Sequence, residues 1–148
     1  MTHPLFDSPE DAATQGLPAE RGRVVASRAE GDDAFVLLDT GPRGEPYLHG
    51  VYCSRHDGRW RGDSSGDGPG WSQAGPDPLL GTLVVWDLAP EGADRVRVEF
   101  AGRTVEEPVT GIAYLVAWWR VPDPQSGWPT VSAIQVAGRW TTAAGPFE

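Results

Sequence analysis

Apolar residues along the chain occur in short runs separated by turn residues, and helical spacing of apolar residues is uncommon. Residues 94–100 alternate strictly: Val96, Val98 and Phe100 share one face of a predicted strand, and the charged residues between them share the other face. This pattern is typical of an antiparallel strand with one face in solvent. Residues 112–121 are nearly all apolar, which predicts a central strand covered on both faces.

Further strands are predicted from apolar runs that are bounded by turn residues. These runs are residues 23–29, 34–40, 46–55, 59–61, 80–88, 103–109 and 131–141. Asp57 and Gly58, between two of the runs, supply the positive φ angles that a tight hairpin turn needs. About nine short strands without a long helix predict a mainly β fold, either an antiparallel β-sandwich or a strongly bent antiparallel sheet.

The start of the chain carries the signal of one short helix. Ser8 is a favoured N-cap residue, and Pro9 fits the first position of a helix. Gly16 and Pro18 follow closely and would end the helix. We therefore expect a helix of about two turns over residues 9–15.

The length of 148 residues is that of one ordinary domain. We expect an N-terminal arm, residues 1–20, which carries the short helix, followed by a single β domain, residues 21–148. Within this domain, residues 62–78 are rich in Gly, Pro, Asp and Ser and contain little apolar surface. This composition predicts a loop.

The charge of the chain argues against two classes of partner. Lys and Arg number 12 and Asp and Glu number 21, which gives a formal net charge of −9 and disfavours phosphate backbones and anionic lipid surfaces. We therefore expect no nucleic-acid partner and no membrane partner. All the positive charge is arginine, so chemistry that needs a lysine, such as a Schiff base or a P-loop, is excluded.

Localisation is predicted from features that the sequence lacks. The first 20 residues hold four acidic residues and no unbroken apolar run, which is unlike a signal peptide. No segment is long and apolar enough to span a bilayer. Cys53 is the one cysteine, so no disulfide can form within the chain. We expect a cytoplasmic protein that uses no cofactor.

Three stretches of the sequence support a resemblance. They are Ser-Pro-Glu-Asp-Ala-Ala at 8–13, Tyr-Cys-Ser-Arg-His-Asp-Gly-Arg-Trp at 52–60, and Arg-Val-Arg-Val-Glu-Phe at 95–100 with Val-Ala-Trp-Trp-Arg-Val-Pro at 116–122. Together they resemble small uncharacterised β-rich proteins of high-GC Gram-positive bacteria. The resemblance implies no activity, ligand or catalytic residue.

Two motifs suggest chemistry but do not fit the architecture it needs. Residues 61–66, Arg-Gly-Asp-Ser-Ser-Gly, are similar to the neighbourhood of the nucleophile in trypsin-like serine proteases, yet too little chain precedes Ser64 to build the first barrel of such an enzyme. His49 and Cys53 share one face of a strand, but two ligands do not make a zinc site. We favour a Gly-rich loop, a partly exposed His49, and a Cys53 that is buried and unreactive.

Tryptophan is the residue type that stands out, with seven in the chain. Five lie in predicted strands, where core packing is expected. Trp71 and Trp128 lie in predicted Gly/Pro loops, where an aromatic either closes one end of the core or anchors a partner. If both loops emerge at one end of the fold, these two form the floor of an acidic cleft with Asp63 and Asp67 on its rim. Such a cleft would bind an unidentified protein partner or a small cationic or sugar-like ligand.

The leading hypothesis is therefore a non-catalytic binding or regulatory module that uses loop aromatics. The alternative is a small-ligand carrier or an enzyme whose site is assembled only in three dimensions, and a third possibility is an inert subunit of a larger complex. A cavity of roughly several hundred Å³ with convergent polar groups would favour the carrier or enzyme. A filled core with an exposed aromatic patch would favour the module, and a broad apolar face would favour the subunit.

Overall fold

The structure is a computed structural model that describes residues 4–18, 21–66, 70–72, 80–122 and 129–142. Within these ranges the chain forms one short helix and eleven strands, which confirms the predicted mainly β class. The elements are α1 (Pro9–Thr14), β1 (Arg23–Glu30), β2 (Asp33–Asp39), β3 (Leu48–His56), β4 (Arg59–Gly66), β5 (Gly70–Ser72), β6 (Leu80–Leu88), β7 (Ala93–Phe100), β8 (Arg103–Pro108), β9 (Ala113–Pro122), β10 (Thr130–Val136) and β11 (Arg139–Thr142).

The strands form three antiparallel sheets. Sheet 1 has the order β1-β2-β3-β4, sheet 2 the order β5-β6-β9, and sheet 3 the order β11-β10-β7-β8. In sheet 1, tight turns connect β1 to β2 and β3 to β4: Asp57 and Gly58, between β3 and β4, have φ angles of 53° and 78°, as the sequence predicts. The predicted hairpin between residues 23–29 and 34–40 is the observed β1–β2 pair.

Sheet 2 lies between the other two sheets, and each of its faces packs against a separate apolar core. The core towards sheet 1 is centred on Phe35, whose ring centroid lies 4.8 Å from that of Tyr52 and 5.1 Å from that of Trp86. The core towards sheet 3 contains buried residues of sheet 2 and sheet 3: Val85, Tyr114, Val116, Val96, Val98 and Val131. Burial on both faces explains why β6 and β9 are almost continuously apolar.

The outer face of sheet 1 is covered by α1. Ser8 caps the helix by accepting a hydrogen bond of 3.1 Å from the backbone N–H of Asp11, and the helix ends at Thr14, one residue before its predicted end. Ala12 and Ala13 pack on sheet 1 in a third apolar cluster. The other members of the cluster are Ala34, Val36, Leu38, Val51, Cys53 and Trp60. The helix of the predicted arm therefore forms a layer on sheet 1.

Sheet 3 confirms the predicted alternation of β7. Val96 and Val98 are fully buried, Phe100 is half-buried, and the charged residues between them lie on the outer face. Arg97 is half-buried there because its guanidinium lies 4.1 Å from the centroid of the Trp140 ring and donates two hydrogen bonds to Glu106 Oε2.

Two strand predictions are wrong, one in the number of strands and one in the position of a strand within its sheet. Residues 131–141 are two strands, β10 and β11, because Ala137 and Gly138 adopt positive φ angles and reverse the chain. The strand at 112–121 is covered on both faces, as predicted, but in the described residues it pairs only with β6 and so lies at the edge of sheet 2.

The predicted loop at 62–78 is also wrong in part. The strand that begins at Arg59 continues to Gly66 because β3 offers it hydrogen-bonding partners, and residues 70–72 form β5 on β6. Pairing of the backbone requires no apolar side chains, so composition alone misses it. Residues 67–69 and 73–78 lie outside the described residues.

Candidate functional site

A groove of about 490 Å³ lies between the C-terminal end of α1 and the outer face of sheet 1. We call it the α1 groove. The described residues that line it come from α1 and the segment after it, from the β2–β3 connection and from strands β3 and β4: Ala12, Ala13, Gln15, Leu17, Thr40, Tyr47, His49, Val51, Gly62, Asp63 and Ser65. Tyr47 is 55% exposed and Leu17 is 40% exposed, so both stand at the open rim.

The floor of the groove is the outer face of β3 and β4. Successive side chains of a strand alternate between faces, so His49 and Val51 both point towards α1, and Ser65 joins them because it pairs with Val51. Gly62 lets the helix approach this floor. A Cβ at Gly62 would lie 3.3 Å from the carbonyl oxygen of Ala12, closer than most such contacts.

A β-bulge in β4 brings Asp63 into the groove. Tyr52 pairs with Ser64 and Cys53 pairs with Gly62, which leaves Asp63 as the extra residue between the two pairs. With strict alternation, Gly62 and Asp63 would lie on opposite faces of sheet 1, but a bulge changes the direction of the side chain of the inserted residue. Both residues consequently line the same groove.

The Asp63 carboxylate is held in place by Arg61. The Nε of Arg61 donates a hydrogen bond of 2.7 Å to Asp63 Oδ1, and the Asp63 side chain is 22% exposed. Among the described residues that line the groove, Asp63 is the only Asp or Glu, and no Arg is among them. Asp63 is therefore the acidic group of the described lining, and Arg61 offsets part of its charge from outside the lining.

The segment between β2 and β3 forms the opposite rim, and Asp39 fixes its shape. Asp39 Oδ1 accepts hydrogen bonds of 3.0 Å from the backbone N–H groups of both Gly41 and Tyr47, while Oδ2 accepts one of 3.0 Å from Arg23. Burial alone would raise the pKa of Asp39, but the three donors outweigh burial and lower the pKa below its ordinary value of 3.8. We call these three hydrogen bonds the Asp39 clamp. The clamp holds Thr40 and Tyr47, which line the groove.

Gly41 makes this compact turn possible. A Cβ on Gly41 would lie 2.1 Å from the carbonyl oxygen of Glu45 and 2.7 Å from the backbone nitrogen of Tyr47. Both contacts are with backbone atoms, which cannot rotate away as a flexible side chain can. The rim is therefore preorganised by the sequence Asp39 to Gly41, before any ligand is bound.

Cys53 lies beneath α1, next to the groove but not in its lining. Its Sγ lies 3.7 Å from the carbonyl oxygen of Pro9, and the residue is buried as predicted. Burial and, to a smaller extent, the carboxylates of Asp63 and Glu10 raise the pKa of the thiol to about 12. The thiolate is the reactive form of cysteine, so Cys53 is a core residue in this structure and not a nucleophile.

Of the four predicted site residues, Asp63 is the one whose side chain the structure describes. It lies on β4, so its predicted placement in a loop is wrong. The placement of Trp71 in a loop is wrong as well, because its backbone is part of β5 and pairs with Leu83. Asp67, Trp128 and the side chain of Trp71 lie outside the described residues, and the cleft predicted from them stays a prediction.

Several lining residues were missed by sequence reasoning. The shared face of His49 and Val51 is readable from their spacing, but no pattern signals that α1 ends over them. Tyr47 follows a proline in a turn-rich segment, and only the clamp at Asp39 shows why it stands at the rim.

The described residues contain no group of three or more His, Cys, Asp or Glu side chains placed to hold a metal ion. They also contain no helix with the length and apolar character needed to cross a membrane.

The chain matches no protein-family model, no curated protein and no solved structure. The resemblance to proteins of high-GC Gram-positive bacteria therefore stays a prediction.

Proposed function

We propose that this protein is a non-catalytic small-ligand-binding protein whose site is the α1 groove. The observation that carries the proposal is a groove of about 490 Å³ whose lining combines apolar side chains with polar ones. Pockets for small molecules have volumes of ~300–1000 Å³ and this mixed lining. A groove of this size favours the alternative of the sequence analysis, a small-ligand carrier, over a module that binds through loop aromatics.

The lining supports a ligand with both apolar and polar parts. Val51, Ala12 and Ala13 present apolar surface, and burying apolar surface of a ligand against it gives ~25 cal/mol per Å². His49, Gln15, Thr40 and Ser65 add hydrogen-bonding groups that can fix the orientation of a ligand.

The rigidity of the surroundings also supports binding. Each side of the groove is held by interactions that exist without a ligand: the N-cap of α1, the pairing of β3 with β4, and the Asp39 clamp. A preorganised site loses less free energy to ordering when the ligand binds. The groove therefore has the properties of a receptor for a small molecule.

One observation favours a second candidate function, hydrolysis by an enzyme. His49, Asp63 and Ser65 line the same groove, and a hydroxyl, an imidazole and a carboxylate are the residue types of a nucleophile, its base and an orienting acid. Turnover of p-nitrophenyl acetate that disappears in Ser65→Ala and in His49→Gln would support this candidate. Equal turnover by wild type and both variants would reject it.

The binding proposal is tested by filling the groove. A set of neutral, cationic and anionic fragments is screened by ligand-detected NMR against wild type, Ser65→Trp and Thr104→Trp. Ser65 lies in the groove, whereas Thr104 is an exposed residue of β8 on sheet 3. We expect fragments that bind wild type and Thr104→Trp but not Ser65→Trp.

Binding that survives in Ser65→Trp would contradict the proposal, as would a screen without any binding fragment. Thermal unfolding of each variant shows whether it is folded. If Ser65→Trp does not fold, Gln15→Trp replaces it, because Gln15 is exposed after the last turn of α1 and lines the same groove.

A further inference from the structure

We infer that the α1 groove selects a small organic cation with an apolar body, whose ammonium group binds Asp63 and whose apolar part lies against Tyr47 and the floor. This inference rests on the proposed binding function and adds the chemical class of the ligand. It is carried by three features of the groove: the charge of its lining, the electrostatic surroundings of that charge, and the apolar rim.

The charge of the lining is the first feature. Asp63 is the only Asp or Glu among the described lining residues, and no Arg lines the groove. Arg61 donates to Oδ1 of the carboxylate, which orients the group and leaves Oδ2 as the oxygen for a ligand donor. The Asp63 side chain is 22% exposed, so a ligand can reach it, and a hydrogen bond from an ammonium group to a carboxylate is charge-assisted and stronger than one between neutral groups.

The surroundings of Asp63 are the second feature. The formal net charge of −9 gives the whole molecule a field that attracts cations. Close to the groove, Glu10 and Asp63 both act on the Cys53 thiol and disfavour its negative form. The net charge and these two carboxylates favour a cationic over an anionic ligand, although Arg61 offsets part of the charge of Asp63.

The apolar rim is the third feature. Tyr47 and Leu17 are two of the exposed large hydrophobic residues of the chain, and they stand together at the mouth of the groove. The face of an aromatic ring attracts a cation as well as apolar surface. An ammonium group on a short aromatic or aliphatic body would satisfy Asp63 and this rim at the same time, and a volume of about 490 Å³ suits a molecule of that size.

Three probes that share a phenyl ring and differ in the charge of the head group test the inference. They are 2-phenylethylammonium, 2-phenylethanol and phenylacetate. Affinities are measured by titration of backbone amide shifts in wild type, in Asp63→Asn and in Asp57→Asn. Asp57→Asn removes the same charge from the exposed turn of the same hairpin, and Asn tolerates the positive φ angle of that turn.

In wild type we expect the cation to bind about tenfold more tightly than the alcohol, as a charged hydrogen bond provides, and the anion to bind least. Asp63→Asn should remove this preference, and Asp57→Asn should keep it. If Asp63→Asn does not fold, Tyr47→Leu gives a second test: loss of the ring should weaken binding of the cation roughly two- to fivefold and binding of the alcohol less, because the leucine keeps apolar surface for the shared phenyl ring but no ring face for the charge.

The inference would be overturned if the alcohol and the cation bound the groove with equal affinity, or if Asp63→Asn left the affinity for the cation unchanged. Either result would leave the proposed binding function standing. Tightest binding by the anion, or by a neutral sugar such as glucose, would overturn the inference in the same way. The absence of groove shifts with these probes and with every fragment of the screening set would overturn the proposed function as well.

Discussion

The carboxylate of Asp39, at the end of β2, accepts a hydrogen bond of 3.0 Å from the backbone N–H of Tyr47, eight residues further along the chain. This contact closes the connection between β2 and β3 and places Tyr47 at the rim of the α1 groove. The same oxygen accepts from Gly41, and Arg23 binds the other oxygen. A single buried carboxylate thus determines the shape of one side of the candidate site.

Asp39→Asn should lower the free energy of unfolding at pH 7 by about 1–3 kcal/mol, because three donors lose a charged acceptor. The pKa of Asp39 is lowered in the folded state, so its contribution to stability is complete above its ordinary value of 3.8 and is lost as the pH falls through the folded-state pKa. The stability gap between wild type and variant should therefore narrow at about pH 2.5. Urea unfolding at the two pH values measures it.

Asp32→Asn is the control for that experiment. Asp32 forms an ion pair with Arg55 in which the Asp32 side chain is 73% exposed, and exposed pairs contribute less than about 1 kcal/mol. The clamp would not be the stabilising contact described above if Asp39→Asn lowered the free energy of unfolding equally at both pH values. The same conclusion would follow if Asp39→Asn lowered it no more than Asp32→Asn does.

Gly41→Ala should destabilise the protein by about 2 kcal/mol or more, because its Cβ would overlap backbone atoms of Glu45 and Tyr47. Gly66→Ala is the matched control: a Cβ there meets no atom within 4 Å, so the cost should stay within ~0.5 kcal/mol. Thermal unfolding compares the two. Similar stabilities of the two variants would mean that the turn can relax and does not hold Tyr47 rigidly.

Cys53 should react slowly with a thiol reagent in the native protein at pH 8, because burial raises the pKa of the thiol to about 12 and α1 covers it. Ser8→Ala removes the N-cap of α1, which is worth about 1 kcal/mol, so labelling should become about fivefold faster. Thr104→Ala, on an exposed strand, should label at the wild-type rate. Labelling of native wild type as fast as that of the urea-unfolded chain would contradict the assigned burial.

Much of the fold is readable from the sequence because local patterns and tertiary packing agree. The alternation around Val96 and Val98 matches one buried face, and the Asp57-Gly58 pair matches the φ angles of the β3–β4 turn. Ser8 caps the helix where the sequence places the cap. In each case neighbours in the chain determine the structure.

The remainder depends on contacts between distant residues. Nothing in residues 62–66 favours a strand, and β4 extends through them only because β3 is there to pair with. The bulge at Asp63 is likewise a property of the pair of strands, and it converts a residue predicted in a loop into part of the groove. Tyr47 and Leu17, 30 positions apart in the sequence, line the same groove, and no local pattern encodes this.

The most direct test of the account is to locate a bound ligand. Uniformly ¹⁵N-labelled wild type is titrated with 2-phenylethylammonium, and the shifted backbone amides are mapped on the structure. We predict that the largest shifts fall on the described residues of the α1 groove, with His49, Asp63 and Tyr47 foremost. Shifts confined to another surface, such as the Arg97 and Trp140 face of sheet 3, or no saturable shifts at all, would contradict the claim that the groove is the binding site.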